Sequence, residues 1–118
     1  VEDLLTKNKS SYGYIFTPQS PLLNGELGAF HASELPYLFG VQNNSVYKKW
    51  SPDYRDQTAK IMQDSWINFA KNGDPSTNHF KWERFSNSSN YALIGDSIKN
   101  INSPFKKRYQ LLDHAKNF

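Results

Sequence analysis

The sequence contains no cysteine. This absence excludes a disulfide framework, a thiol nucleophile and a metal site with cysteine ligands. It favours a reducing compartment, whereas the Asn-x-Ser triplets that begin at Asn8, Asn43 and Asn87 are glycosylation acceptors and favour secretion. Because asparagine is common in this chain, such triplets also arise by chance. The sequence leaves the localisation unknown, with a slight preference for the cytoplasm.

Long apolar runs and dense basic stripes are also missing. We find no segment with the pattern of a signal peptide or a membrane-spanning helix. The net charge is +3, and the basic residues are scattered apart from Lys48-Lys49 and Lys106–Arg108. Nucleic-acid-binding proteins usually carry a denser basic stripe. We therefore expect neither a membrane nor a nucleic acid as a partner.

Aromatic residues are abundant in this chain, and aliphatic residues are scarce. Hydrophobic residues make up 37% of the chain and aromatic residues 15%, so the aromatic rings must supply much of the core. The 118 residues suffice for one domain and no more. The same composition also suits a part of a larger domain whose remainder completes the core.

Three segments have the pattern of β-structure. Tyr12–Phe16 is aromatic and nearly continuously apolar, which is typical of a buried strand in a parallel sheet. Tyr91–Ile94 is a short strand, and the turn at Gly95 and Asp96 lets residues 97–101 pair back on it. Residues 80–85 alternate between apolar and charged side chains and indicate a half-exposed extended segment.

Three helices are predicted, and the clearest runs from about residue 54 to residue 71. Ser51 or Asp53 caps its start, and Asn72-Gly73 ends it. Its apolar stripe consists of Ile61, Met62, Ser65, Trp66, Phe69 and Ala70.

The other two helices are shorter or more polar. One is capped by Ser33, tolerates Pro36 in its first turn and stops at Gly40. The other is basic and runs from about residue 104 to residue 116. Its inward residues are expected to be Phe105, Tyr109, Leu111 and Leu112.

His31 is the residue best suited to proton transfer. It follows the loop 17–27, lies in a turn of small residues and precedes the apolar anchor Leu35–Phe39. His79 and His114 lie elsewhere, and the histidine spacings fit no zinc motif. The pair His31 and Glu34 offers only two ligands, so we expect no metal and no cofactor.

The stretch Gly-Ala-Phe-His-Ala-Ser-Glu-Leu-Pro-Tyr-Leu-Phe-Gly at 28–40 resembles the catalytic-histidine segment of type-B carboxylesterases, the cholinesterase-like branch of the α/β-hydrolases. Tyr12–Phe16 resembles the strand before that segment. Residues 66–75 resemble the family's late helix and its Asn-Gly-Asp-Pro turn. Trp82 and Tyr91–Ile94 follow in the family's order, and the similarity covers roughly residues 10–105.

The resemblance implies an α/β fold in which residues 1–118 are the C-terminal portion of an α/β-hydrolase domain. That portion has two to three sheet strands, one long amphipathic helix and a C-terminal helix, and is incomplete on its own. His31 corresponds to the histidine of a Ser-His-Glu/Asp triad that hydrolyses carboxylic esters. Glu34 corresponds to a supporting carboxylate, although it equally suits a first-turn acid that favours the helix dipole.

The departures from the family are as informative as the match. The sequence has no Gly-x-Ser-x-Gly elbow, no glycine-rich oxyanion segment and no acid-bearing stretch, which the family places upstream. Ser103 lies close to where many secreted relatives have a cysteine. We therefore expect a chain that is inactive alone and that associates with the upstream portion of the enzyme or with itself. In the intact enzyme the other partner is a small ester.

Two other interpretations remain at the level of the sequence. Cholinesterase-like folds also occur as adhesion or interaction modules that hydrolyse nothing. The retention of His31 in its small-residue turn favours the enzyme, because function lies in the site and not in the fold. An independent α+β domain with a fortuitous motif fits poorly with the length and order of the similarity.

Overall fold

The computed structural model describes residues 10–20, 22–41, 56–85 and 90–115. The elements in chain order are β1 Gly13–Phe16, α1 Leu35–Phe39, α2 Asp56–Asn72, β2 Asn90–Ile94, β3 Ile98–Asn102 and α3 Lys106–Ala115. An irregular helical turn at Leu22–Gly25 lies between β1 and α1. The caps predicted at Ser51 and Asp53 lie outside the described residues.

The three strands form one sheet in the order β1-β2-β3. β1 pairs with β2 in parallel, and β2 pairs with β3 as an antiparallel hairpin. The N–H of Thr17 donates to the carbonyl of Ile94 at 2.8 Å and extends the parallel ladder beyond β1. The parallel strand and the hairpin arm predicted from the sequence are therefore confirmed.

Aromatic side chains of β1 fill the space between the sheet and the helices. Tyr14 meets Trp66 of α2 edge to face, with ring centroids 5.2 Å apart, and Phe16 meets Tyr37 of α1 at the same distance. The buried core consists of Tyr37, Ala59, Met62, Trp82, Ala92 and Ile94. The aromatic-rich core is confirmed, and α1 and α2 each cover part of the aromatic face of β1, where Tyr14 remains 37% exposed.

α2 buries only part of its predicted stripe. Met62 and Ser65 are buried, but Phe69 and Ala70 are exposed. The ring of Tyr12 at the start of β1 covers part of Phe69, with ring centroids 5.9 Å apart. The helix ends as predicted, since Gly73 has a φ of 71°.

The N-terminal cap predicted for α1 is wrong. The N-cap position is Glu34, which makes no capping hydrogen bond with its side chain. Ser33 lies within a tight turn, in which its N–H donates to the carbonyl of Phe30 at 3.1 Å, and its side chain is buried. Pro36 in the first turn and Gly40 at the C-cap, with a φ of 61°, agree with the sequence.

The inward face predicted for α3 is also wrong at two positions. Leu111 is 69% exposed and Leu112 is 59% exposed. α3 follows the hairpin, and no described element packs extensively against it. None of the described helices has the length and apolar character needed to cross a lipid bilayer.

Candidate active site

The loop that carries His31 is tied at both ends. It leaves the carboxyl end of β1, where the crevices of α/β sheets usually form. The N–H of Ser20, a buried residue, donates to the carbonyl of Gly28 at 3.0 Å and closes the loop on itself. Leu23 and Asn24 have positive φ inside this closed loop, which was predicted only as an irregular connection.

His31 is the first residue of the turn 31–34, and its side chain is exposed. The N–H of Leu35 donates to the carbonyl of Ala32 at 3.2 Å, and Ala32 has a φ of 68°. A left-handed φ is uncommon for a residue other than glycine, and Ala32 adopts it directly after the histidine. The imidazole makes no hydrogen bond within the described part of the chain. It is therefore an accessible imidazole without an orienting partner there.

Glu34 links the histidine turn to α1. Its backbone carbonyl accepts the N–H groups of Tyr37 at 3.0 Å and Leu38 at 3.2 Å, and its side chain is half-buried. The pKa of the Tyr14 hydroxyl is raised, first by burial and then by the negative charge of Glu34. The fold thus brings Glu34 into the electrostatic neighbourhood of β1. The sequence analysis did not identify Tyr14 as part of the site. The feature that could have indicated it is its position on the same face of the strand as Phe16.

We expect the variant Glu34→Gln to lower the pKa of Tyr14 towards its ordinary value. Removing the carboxylate charge removes part of the cost of forming the tyrosinate, while the cost of burial remains. Titration of the Tyr14 ring carbons by NMR from pH 9 to pH 12 measures the change. The matched control is Glu83→Gln, because Glu83 is exposed and is not a cause of the Tyr14 shift. An unchanged Tyr14 titration in Glu34→Gln contradicts the proximity of the two groups.

The raised pKa of Tyr14, caused first by burial and then by the charge of Glu34, makes the stability of the fold depend on pH. The folded-state pKa of Tyr14 lies above its unfolded value. The protonated hydroxyl therefore makes a contribution to the free energy of unfolding that is fully present below the unfolded pKa, about 10. That contribution is lost as the pH rises through the folded-state pKa.

Ser33 is a second residue of this site that sequence reasoning assigned differently. It is 7% exposed, and its hydroxyl has no hydrogen-bond partner among the described residues. Native structures leave few buried hydroxyl groups unpaired. Ser33 therefore belongs to the interior next to His31 and not to a helix cap.

The described residues contain no group of three or more His, Asp or Glu side chains that could hold a metal ion. His79 lies in an exposed turn, where its backbone N–H donates to the Thr77 hydroxyl at 3.2 Å. It is distant from His31 in the sequence. The side chain of His114 lies outside the described residues.

Comparison with known proteins agrees with the fold. The model of the carboxylesterase family matches residues 1–112. The chain belongs to the carboxylesterase family. The para-nitrobenzyl esterase of Bacillus subtilis is 34% identical over 108 residues, which are 89% of this chain and 22% of that protein. Acetylcholinesterase 4 of Caenorhabditis briggsae is 39% identical over 93 residues, which are 69% of this chain and 14% of that enzyme.

Solved structures place this carboxylesterase-family chain in the α/β-hydrolase fold. A structure of a PNB esterase superposes with a TM-score of 0.71 and 26% identity, over 84% of this chain and 21% of the other. The chain thus spans about a fifth of the length of these relatives. Its sheet of three strands and its few helices are the corresponding part of that larger fold.

Proposed function

We propose that this chain is the segment of a carboxylic-ester hydrolase that supplies the catalytic histidine, His31. The observation that carries the proposal is the accessible imidazole on a tied loop at the carboxyl end of β1, in a chain of the carboxylesterase family. The serine, the acid and the oxyanion hole come from the remaining part of the esterase. The partner of the chain is therefore that part of the enzyme, and the substrate is a small ester.

In this proposal His31 accepts one proton and then donates it in each of the two half-reactions. The imidazole accepts the proton of the serine hydroxyl as its oxygen attacks the ester carbonyl, and then gives it to the departing alcohol. In the second half-reaction it accepts a proton from water, and returns it to the serine as the acid leaves. General acid–base catalysis of this type contributes about 10²–10⁴-fold, provided that the nucleophile is positioned.

Glu34 supports His31 and is not the acid of the triad. Its main-chain carbonyl holds the first turn of α1, and its side chain interacts with Tyr14 of β1. The carbonyl contacts join the segment that follows the histidine turn to the helix, and the electrostatic effect on Tyr14 indicates that the carboxylate lies near the sheet. A fixed turn keeps the imidazole aimed while the side chain itself stays free to reach a substrate.

The edge of the sheet offers a place for the rest of the enzyme. β1 is the outer strand of the described sheet, and only β2 pairs with it. Its other edge presents unpaired backbone groups, which favour pairing with a further strand. We expect this edge to associate with the remaining part of the esterase, or with a second copy of the chain when that part is absent.

The isolated chain is expected to have no esterase activity that depends on His31. No described serine hydrogen-bonds the imidazole, and the sequence holds no nucleophile elbow. The test compares hydrolysis of p-nitrophenyl acetate by the purified chain and by its His31→Ala variant, after subtraction of the rate due to free imidazole. Equal rates agree with the proposal. A large rate that is lost in His31→Ala contradicts the need for the rest of the enzyme, and points to a complete site within this chain.

A further inference from the structure

The helix α1 determines where the histidine turn lies, although it is too short to hold its own place. It comprises only the five residues Leu35–Phe39, and isolated helices of that length are not stable in water. The N–H of Leu35 donates to the carbonyl of Ala32 at 3.2 Å, so the helix and the turn 31–34 share a hydrogen bond. A shift of α1 therefore moves the turn that begins with His31.

Gln63 of α2 supplies a hydrogen bond that holds α1. Its side-chain amide donates to the main-chain carbonyl of Tyr37 at 2.7 Å, across 26 positions of the sequence. Tyr37 lies within the last four residues of α1, and the carbonyls of those residues have no partner inside a helix. The bond is partly buried, so water competes with it less than on the surface.

Packing keeps α1 close to the sheet, but it constrains the orientation of the helix only weakly. Tyr37 is buried, and its ring meets that of Phe16 in β1 with centroids 5.2 Å apart. Hydrophobic burial is non-directional, whereas a hydrogen bond requires a defined distance and angle between donor and acceptor. The bond from Gln63 therefore constrains the rotation of α1 and its position along its axis, and with them the direction of the histidine turn.

We propose that Gln63 is a positioning residue for His31. This role rests on the proposed function of His31 as the proton-transfer group of an esterase. Gln63 bonds to the main chain of α1 and not to the imidazole, so it acts by keeping the imidazole aimed. Misplacement of a catalytic group by about 1 Å costs about 10²-fold in rate. Loss of the bond lowers kcat, whereas KM stays nearly unchanged because the contacts with the substrate remain.

The test uses Gln63→Leu in a chimaera in which this chain replaces the matching segment of the para-nitrobenzyl esterase of Bacillus subtilis. Leucine keeps much of the size of the side chain but cannot donate a hydrogen bond. We expect kcat for p-nitrophenyl acetate to fall about tenfold, with KM changed by less than about twofold. Gln63→Lys restores an N–H donor on a side chain long enough to reach the carbonyl of Tyr37, and is expected to recover most of the loss.

The matched control is Gln57→Leu, the same substitution at an exposed position of the same helix, and it is expected to keep kcat. Combining Gln63→Leu with His31→Gln separates positioning from a general effect on folding. The double variant is expected to be no slower than His31→Gln, because the group that Gln63 aims is already absent. A further loss of about tenfold in the double variant contradicts the positioning role.

NMR of the 15N-labelled full chain gives a readout that requires no catalysis. In Gln63→Leu we expect the backbone amide signals of residues 31–38 to shift, while those of the β2–β3 hairpin, residues 90–102, stay in place. Shifts that extend through the hairpin indicate a general disturbance of the fold and contradict the assigned role.

The activities separate failure of this role from failure of the proposed function. Retention of activity in His31→Gln contradicts the catalytic role of His31, and with it the positioning by Gln63. Loss of activity in His31→Gln together with an unchanged kcat in Gln63→Leu overturns the positioning role alone and leaves the esterase function standing.

Discussion

The variant His31→Gln is expected to lower the kcat/KM of a complete esterase that carries this chain by about 10³–10⁶-fold, because the members of a triad act as a unit. A suitable esterase is a chimaera in which this chain replaces the matching segment of the para-nitrobenzyl esterase of Bacillus subtilis, its 34% identical relative. Glutamine keeps the size of the side chain and its ability to form hydrogen bonds. It cannot accept the proton of the serine.

The matched control for this prediction is His79→Gln in the same chimaera. His79 is an exposed histidine in the turn after α2, and its main-chain N–H donates to the hydroxyl of Thr77. We expect this variant to keep the activity of the unaltered chimaera. An equal loss in the two variants indicates a general effect on folding. Retention of activity in His31→Gln contradicts the catalytic role of His31.

The variant Trp82→Ala is expected to lower the free energy of unfolding of the chain by about 3–5 kcal/mol, the usual cost of emptying a large buried aromatic site. Trp82 is 6% exposed, and its ring contacts those of Tyr14, Trp66 and Phe80. Its indole N–H donates to the carbonyl of Gly13 at 3.2 Å and ties the segment 81–85 to β1. Since natural domains are stable by only about 5–15 kcal/mol, this one change removes much of that stability.

Denaturation with urea at fixed protein concentration measures this loss. Trp82→Phe keeps a ring but not the indole hydrogen bond, so we expect a smaller loss, of about 1–2 kcal/mol. The control is Ile67→Ala on α2, where the side chain is half exposed and the expected change is below about 1 kcal/mol. Similar losses in Trp82→Ala and Ile67→Ala contradict the assigned core.

Local patterns in the sequence were sufficient to predict most elements of the fold. The apolar run at Tyr12–Phe16 indicated a parallel strand, and the turn at Gly95 indicated the hairpin that the structure contains. Glycine marks the ends of α1 and α2 because left-handed φ values occur at Gly40 and Gly73. These features depend on residues that are close together in the chain.

The wrong predictions concern contacts that only the whole fold decides. Periodicity gave Leu111 and Leu112 an inward position, but it does not say whether another element lies opposite α3. Ser33 has the residue type of a cap, whereas the tight turn that contains it places its side chain in the interior. In both cases local preference is overridden by the surroundings of the side chain.

The candidate site was predictable in part. His31 and Glu34 were proposed from a motif of adjacent residues, and their catalytic roles stay predictions. The interaction of Glu34 with Tyr14 was not foreseen, because it joins residues 20 positions apart and depends on how α1 packs over the sheet. The same holds for Ser65, which periodicity assigned to the core without indicating that its hydroxyl has no hydrogen-bond partner among the described residues.

Labelling with a fluorophosphonate tests the central claim most directly, because this reagent reacts with a serine only when a neighbouring base activates it. The chimaera and its His31→Gln variant are treated side by side, and the labelled peptide is identified by mass spectrometry. We expect one serine to be labelled, outside the sequence of this chain, with labelling lost in His31→Gln and kept in His79→Gln. Equal labelling in His31→Gln, or a label on a serine within this chain, contradicts the account.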